Sequence, residues 1–362
     1  GGTTLALAPQ RTVVVGAAGA TLLVDGGTTL QLQGPLAGDG ALAKAGPGAL
    51  ALTGASPAFS GAVQVAAGSL ALQQSQALGA ANAVDLAAGT TLDLAADVRL
   101  GPLSGVGALQ LQGFTLATGG ASSTFSGTLS GAGIGSPSGG VLQWLGGGQF
   151  TLDAATGIAG STQVLGGTLA LAQADALANS AVGVGPGATL AVLASSRVQS
   201  LSQPGADAGQ VVLAPGATLS TGGTADTVFS GAITGGGALR KLGSGRFTLA
   251  GPNSYSGGTL VDAGTLRGDS LALQGDITVA TQLVFDQGTD GSYAGRIDGA
   301  GGLAKQGAGS LALTGVHQHG GGTQVLAGTL RLAGGQAVPD AGVVDIAAGA
   351  TLQLDASETL AQ

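Results

Sequence analysis

The chain has 362 residues, of which only 8% are charged and 72 are glycine, whereas about a quarter of an ordinary soluble protein is charged. The glycines have no three-residue period, which excludes collagen, and a mean hydropathy of +0.43 excludes a disordered chain. A net charge of −8 with scattered basic residues argues against nucleic-acid or anionic-membrane binding. Without cysteine, disulfides, zinc fingers and iron–sulfur sites are excluded, and no apolar run is long enough for a membrane helix.

Four similar stretches begin near residues 40, 140, 237 and 301, and internal repetition is the strongest signal in the sequence. In chain order they read GALAKAGPGALALTG, GVLQWLGGGQFTLDA, GALRKLGSGRFTLAG and GGLAKQGAGSLALTG. One position of each copy holds a long side chain, namely Lys44, Trp144, Lys241 or Lys305. The copies are unevenly spaced, which disfavours a propeller with its even blades.

Each copy continues in the same way. A bulky residue comes first, and a glycine followed by a small hydroxyl residue and leucine comes nine positions later. The bulky residues are Phe59, Ile158, Tyr255 and His319, and the glycines are Gly68, Gly167, Gly264 and Gly328.

Leucine or valine at alternate positions, as in Leu50 and Leu52, predicts short strands with one apolar face, separated by glycine-rich turns. Such strands fit a parallel β-solenoid whose coils turn leucine and valine inward and stack about 4.8 Å apart. At roughly 20–25 residues per coil, there is room for about 16 coils. We predict an all-β fold in which residues 1–362 form a single solenoid. The pattern is cut at both ends, so we expect caps or further coils to lie outside the chain.

The run from residue 236 to 266, GGALRKLGSGRFTLAGPNSYSGGTLVDAGTL, resembles the passenger-associated transport repeat of autotransporters. Three copies keep the lysine of this motif, and the fourth departs from it at Trp144. The resemblance implies a right-handed parallel β-helix that is secreted through an outer-membrane translocator barrel and displayed outside the cell, at the bacterial surface. The barrel is not in this chain, and direct membrane insertion is not expected.

The leading hypothesis is a non-enzymatic structural rod that mediates adhesion to a receptor on host or bacterial cells. One alternative is a self-associating extracellular fibre or biofilm matrix protein, because so few charges give little repulsion between copies. Another alternative is a β-helix enzyme that degrades polysaccharides. We predict no catalytic residues, cofactor or metal.

The tripeptide Arg267-Gly268-Asp269 is a candidate adhesion motif of the integrin-binding type. Gly268 stands where the other copies have an inward leucine (Leu72, Leu171 or Leu332), which predicts that the strand breaks into a turn and exposes both charges. The alternative is coincidence, since Arg267 aligns with Arg331 at an ordinary outward position.

Lys44, Lys241 and Lys305 share the alternation of inward leucines. We interpret them and Trp144 as structural positions, with the lysine stem covering apolar surface while the ammonium group, or the edge of the indole ring, reaches water.

Two other groups of residues invite a chemical reading. His317 and His319 could form a metal pair, but His319 occupies the aromatic position of the repeat, which favours packing. Asp286, Asp290 and Asp298 with Arg296 form the densest charged cluster and are the candidates for polysaccharide cleavage. They lie in loop-like sequence, where aspartate and glycine are also ordinary turn formers.

Overall fold

The computed structural model describes residues 2–131, 139–334, 337–338 and 342–355. The described residues form short strands joined by turns, with no helix, and hence none that could cross a membrane. The chain divides into two compact units, residues 1–190 and 191–362, and the division falls within strand β23, Thr189–Val192. The prediction of a single solenoid over 1–362 stays a prediction.

Unit 1 contains twenty-two complete strands among its described residues. They are β1 Thr3–Leu7, β2 Val13–Val14, β3 Ala20–Leu23, β4 Thr28–Leu32, β5 Leu36–Ala37, β6 Leu42–Ala45, β7 Ala49–Leu52, β8 Val63–Val65, β9 Ser69–Leu72, β10 Val84–Leu86, β11 Thr91–Leu94, β12 Val98–Leu100, β13 Leu103–Gly105, β14 Ala108–Gln110, β15 Thr115–Thr118, β16 Ser123–Phe125, β17 Thr128–Ser130, β18 Val141–Trp144, β19 Gln149–Leu152, β20 Ser161–Val164, β21 Thr168–Leu171 and β22 Leu177–Val184.

Unit 2 contains twenty complete strands among its described residues. They are β24 Ser196–Ser202, β25 Gln210–Leu213, β26 Thr218–Thr221, β27 Thr227–Phe229, β28 Ile233–Gly235, β29 Ala238–Lys241, β30 Arg246–Leu249, β31 Thr259–Val261, β32 Thr265–Gly268, β33 Ile277–Val279, β34 Gln282–Asp286, β35 Gly291–Tyr293, β36 Ile297–Gly299, β37 Gly302–Gln306, β38 Ser310–Leu313, β39 His317–His319, β40 Thr323–Val325, β41 Thr329–Leu332, β42 Val344–Ile346 and β43 Thr351–Leu354.

In unit 1, consecutive strands of the chain join different sheets. Each strand pairs in parallel with a strand of an adjacent coil. Within this unit the sheet orders are β1-β4-β7-β9-β11-β14-β17, β3-β6-β8-β10-β13-β16-β19-β21 and β12-β15-β18-β20-β22, with β2 paired to β5. This topology is that of a parallel β-solenoid.

Columns of identical side chains hold neighbouring coils of unit 1 in register. Leu50 pairs with Leu70, and Leu70 with Leu92, and all three side chains are fully buried. Burying one leucine contributes about 1.5–3 kcal/mol, so a column of them fixes which face of each strand points inward.

Unit 2 repeats the arrangement with its own sheets. The orders within this unit are β24-β26-β29-β31-β33-β36-β39, β27-β30-β32-β34-β37-β40-β42 and β35-β38-β41-β43, with β25 paired to β28. Leu266 pairs with Leu283, and Leu283 with Leu303, so an apolar column again lines the interior. The prediction of an all-β parallel solenoid is therefore confirmed for each unit.

Close approach of successive coils explains part of the glycine content. A side chain on Gly40 would overlap the carbonyl oxygen of Gly16 in the preceding coil, and one on Gly61 would overlap that of Gly40. Only glycine permits the backbones to stack at these corners.

We expect Gly40→Ala to lower the free energy of unfolding by about 1–3 kcal/mol, because the added methyl group forces two coils apart. Gly147→Ala is the matched control, since that glycine has open space around it and an ordinary φ angle, and a change within about 0.5 kcal/mol is expected. Urea unfolding followed by circular dichroism measures both. Equal midpoints for the two variants would contradict the stacking argument.

Candidate functional site

The tripeptide Arg267-Gly268-Asp269 begins inside β32 of unit 2. The predicted break in the strand at Gly268 is wrong, because Gly268 is the last residue of β32, pairs with Phe285 of β34 and is buried. The turn starts one residue later, at Asp269.

Leucine is absent at position 268 because another side chain fills its place. A side chain on Gly268 would come within 3.1 Å of Ala272 and Leu273, which are 2% and 1% exposed. The turn after Gly268 folds these two residues into the interior. The apolar core is thus kept with a different residue supplying the volume.

Arg267 is tied to the next two coils. Its guanidinium group forms an ion pair with Asp286 of β34, and the side-chain amide oxygen of Gln306 in β37 can accept at 3.1 Å from the same group. Both partners of the ion pair are about two-thirds covered, so this pair is only moderately exposed to water.

Asp269 holds the turn that follows the strand. Its Oδ1 accepts hydrogen bonds from the backbone N–H groups of Leu271, at 2.9 Å, and Ala272, at 2.8 Å. This is the usual role of aspartate at the start of a turn. Both charges of the tripeptide therefore already have partners within unit 2.

The carboxylates of the predicted charged cluster serve separate local roles. Asp286 pairs with Arg267, Asp290 accepts from the backbone N–H of Ser310 at 2.8 Å, and Asp298 pairs with Arg296. Among the described residues, no group of three or more histidine, aspartate or glutamate side chains is placed to hold a metal ion.

A shallow groove of about 620 Å³ lies on the outer surface of unit 2. Arg240, Asp276 and hydroxyl side chains such as Ser220 and Thr278 line it, and the three aspartates of the cluster do not. The predicted acid–base candidates therefore lie outside this groove.

The three lysines of the repeat have a different environment from the one we predicted. Lys44, Lys241 and Lys305 are 0–1% exposed, so the expectation that their ammonium groups reach water is wrong. Nζ of Lys44 and Nζ of Lys241 donate to the carbonyl group of the following residue, Ala45 or Leu242. Each of the three Nζ atoms also donates to two carbonyl groups further away, one in its own turn and one in the next coil. The oxygens belong to Gly46 and Ala67, to Gly243 and Ala263, and to Gly307 and Ala327, at 2.7–3.0 Å.

We call this arrangement the lysine clamp: one of these lysines with its carbonyl partners in two consecutive coils. Burial lowers the pKa of all three ammonium groups from the usual 10.5. The charge is retained inside because carbonyl oxygens replace the water that burial removes.

The glycine that the repeat keeps before hydroxyl and leucine completes the clamp. Gly68 and Gly328 have φ angles of +72° and +65°, and a side chain on either would come within 2.9 Å of the lysine Nζ below it. A residue with a Cβ atom would be strained there and would also displace the ammonium group.

Trp144 occupies the lysine position without making a clamp. Its ring is fully buried and stacks on Phe150, with ring centroids 5.3 Å apart and an interplanar angle of 19°. The expectation that the indole edge reaches water is wrong, and Nε1 has no hydrogen-bond partner among the described residues. Stacking thus replaces the polar contacts in this copy.

A fourth repeat position escaped the sequence analysis. In every copy a glycine lies directly before the second strand, and the residue eight positions after that glycine is polar and buried. The side chain of this residue forms a hydrogen bond with the backbone of an adjacent coil. We call these the corner residues: Ser56, Thr156, Asn253 and His317. The signal was visible as a polar side chain at this position in all four copies.

Asn253 shows the chemistry of the corner residues most clearly. Its Oδ1 accepts from the N–H of Ile233 at 2.8 Å, and its Nδ2 donates to the carbonyl of Ala272 at 2.6 Å. One side chain thereby satisfies backbone groups on both sides of its own coil, at a turn where the strand ladder is interrupted.

The two histidines occupy two positions of the repeat. His317 is the corner residue of the fourth copy, and its Nδ1 accepts from the N–H of Ile297 at 3.2 Å. His319 bonds to Thr323 at 2.8 Å through Nε2, as Tyr255 bonds to Thr259 at 2.6 Å in the third copy.

Residues 42–72, 145–171, 239–267 and 303–332 match the sequence model of the Passenger-associated-transport-repeat family. Each match contains a corner residue, and the second begins directly after Trp144, where that copy departs from lysine. These four matches confirm the predicted resemblance.

Part of the chain is also similar in sequence to a curated protein. The chain is 35% identical over an alignment of 161 residues to a protein of Brucella suis biovar 1 (strain 1330) named "Adhesin BmaC autotransporter". The alignment covers 35% of this chain and 5% of that protein. No solved structure matches the chain.

We expect the lysine clamps to protect all three lysines from an amine-reactive acetylating reagent. In the folded chain only the α-amino group should react quickly. Burial lowers the lysine pKa, which alone would favour reaction, but it also keeps the reagent away from the amine. After unfolding in guanidinium chloride, all three lysines should also be modified. Mass spectrometry counts the added groups.

Gln324→Lys provides the control for the labelling, since residue 324 is exposed on β40 of the fourth copy. The new lysine should be modified in the folded chain much faster than the three clamped lysines. Rapid modification of Lys44, Lys241 or Lys305 in the folded chain would refute the clamp.

We expect Asn253→Ala to lower the free energy of unfolding by about 2–3 kcal/mol, because two backbone groups lose their partner. Ser254→Ala, at the exposed neighbouring position, should change it by less than about 0.5 kcal/mol. Urea unfolding measures both, and a similar effect of the two changes would argue against a special role of the corner residue.

Proposed function

We propose that this chain is part of a secreted, non-enzymatic autotransporter passenger whose solenoid carries an adhesive outer surface to cells. The match of four stretches to the Passenger-associated-transport-repeat family is the observation that carries the proposal. The relative named an adhesin autotransporter supports it, although this chain corresponds to only 5% of that protein.

The export route follows from the same proposal. We infer a right-handed coil, passage through an outer-membrane translocator barrel outside this chain, and display at the bacterial surface. The absence of cysteine supports this route, since a chain without thiols forms no disulfide on entering an oxidising compartment.

The outer surface of each unit is the proposed binding surface, because the interior is packed with side chains. Outward positions carry threonine, serine, glutamine and paired charges, as in β38, β41 and β43. The engagement of Asp286, Asp290 and Asp298 in separate local bonds supports a binding role over polysaccharide cleavage.

The direct test is attachment of cultured epithelial cells to a surface coated with the purified chain. We expect saturable attachment that soluble chain inhibits, and heat-unfolded chain serves as the control. Absence of saturable attachment to both epithelial cells and bacterial cells would overturn the adhesive function.

We expect Asp269→Asn to leave attachment within about twofold of the unmodified chain, because both charges of the tripeptide are held by neighbours. Asparagine keeps the oxygen that caps the turn and removes only the negative charge. A loss of tenfold or more would instead assign adhesion to Arg267-Gly268-Asp269. Asp269→Ala, which also removes the cap, separates loss of charge from loss of the turn.

Self-association is a second candidate, and the surface chemistry of unit 2 supports it. Arginine–aspartate pairs neutralise charge on its outer face, and the same unit exposes apolar side chains, including Leu271 at 65% and Leu193 at 50%. Sedimentation velocity over a wide concentration range distinguishes the two. Growth into larger species favours a fibre or matrix, and a monomer at all concentrations favours a displayed adhesin.

A further inference from the structure

The fourth repeat places two histidines where the third has neutral side chains. His317 stands at the position of Asn253 and His319 at that of Tyr255, and these are the only two histidines of the sequence. Both imidazole rings are buried, with exposures of 2% and 0%. The two repeats therefore form a natural comparison between coils with and without groups that titrate in mild acid.

The hydrogen bond of His317 requires its neutral form. Nδ1 accepts from the N–H of Ile297, so this nitrogen must offer a lone pair and the ring proton lies on Nε2. If the ring took up a second proton, at Nδ1, the Nδ1–H would point at the N–H of Ile297, and both groups are donors. Asn253 fills the same role with an amide oxygen, which no physiological pH protonates.

Protonation would bury a positive charge in each ring without a new partner. Nε2 of His317 and Nδ1 of His319 are buried and have no partner among the described residues, and the Nε2–H of His317 is unpaired already in the neutral ring. In the charged imidazolium both ring nitrogens are donors, so Nδ1 of His317 would lose its hydrogen bond from Ile297 and the Nδ1–H of His319 would have no acceptor. Two such charges two residues apart on β39 would also repel each other.

Among the described residues, no carboxylate lies in the interior beside the two rings. On β36, Asp298 lies on the outer face and is paired with Arg296, while Tyr293 of β35 stacks on His317 at 6.2 Å and is held neutral by burial, which raises its pKa. Lys305 of β37 is a further positive charge, fixed in its clamp. Strands β38 and β40 carry no titratable side chain.

We propose that the coil containing β39 is an acid-labile element of unit 2: protonation of His317 and His319 opens it, while the coil of Asn253 and Tyr255 stays closed. The proposal concerns local opening and does not depend on the adhesive function. The outcome would be a surface protein with one segment that loosens in mildly acidic surroundings.

The direction of the pH effect follows from the shifted pKa values. Burial lowers the pKa of His317 and His319 from 6.5 to about 4, and for His317 the neighbouring His319 adds to this while Asp298 opposes it. Above pH 6.5 both rings are neutral in the closed and the open coil, so stability is complete. It declines as the pH falls from 6.5 to about 4, because only the open coil takes up protons there.

The test is hydrogen exchange of the 362-residue chain at pH 7 and pH 5, corrected for the intrinsic exchange rate. The opening constant of residues 302–325 should rise about 20-fold for one exposed histidine and roughly 400-fold for both. Residues 238–261 of the third repeat serve as the internal control and should change little.

The third repeat also supplies the control variant. His317→Asn with His319→Tyr copies Asn253 and Tyr255, and it should abolish the pH dependence while keeping the coil closed at pH 7. Each single change should remove about one 20-fold step. If a variant folds poorly, the unmodified chain still decides the matter, because NMR titration of its two histidines should give folded-state pKa values well below 6.5.

Three results would overturn the proposal. They are imidazole pKa values near 6.5 in the folded chain, an equal increase of exchange in residues 238–261, or a pH dependence that persists in the double variant.

Discussion

The coils of each unit stack closely enough for their backbones to hydrogen bond, and the rest of the structure follows from this constraint. Parallel strands pair at every step, as in the column of Leu50, Leu70 and Leu92. At the corners between strands, the backbones of successive coils then come into contact, and only glycine leaves room for this at positions such as Gly40. Part of the high glycine content is a result of this geometry.

In the lysine clamps and at the corner residues, polar groups enter this narrow interior where the adjacent coil supplies a partner. The lysine clamps use carbonyl oxygens of two coils, and Asn253 uses one N–H and one carbonyl. These contacts fix the register of neighbouring coils, which an apolar core alone would specify less strictly. A shift of register would leave a charge or an amide without its hydrogen-bond partner. The repeat therefore consists of an apolar column for stability and a few polar contacts for alignment.

The sequence predicted the fold well because its signal is local. Alternating leucines and regularly placed glycines specify one-faced strands without reference to distant residues, and the repeat itself was visible by eye. The same reasoning failed for Lys44, Lys241 and Lys305, because their partners are backbone carbonyls that leave no trace in side-chain identity. It failed again at Gly268, where Leu273 fills the missing volume from a turn whose path the sequence does not reveal.

The corner residues lie between these cases. A polar side chain at one position of all four copies is a visible pattern, but serine, threonine, asparagine and histidine share no obvious role until the backbone groups beside them are known. The candidate adhesion tripeptide is the opposite case. Its sequence strongly suggests a binding function. In the structure, however, Arg267 pairs with the next coil and Asp269 accepts a hydrogen bond within its own turn.

The substitution at Trp144 gives the molecule a built-in optical probe. It is the only tryptophan in the chain, it lies in unit 1, and its indole ring is sealed against Phe150 away from water. Emission from such a ring shifts to longer wavelength when water reaches it, and unit 2 has no tryptophan to contribute. Fluorescence therefore reads the opening of one unit alone, and the melting of the two units can be told apart without attaching a dye.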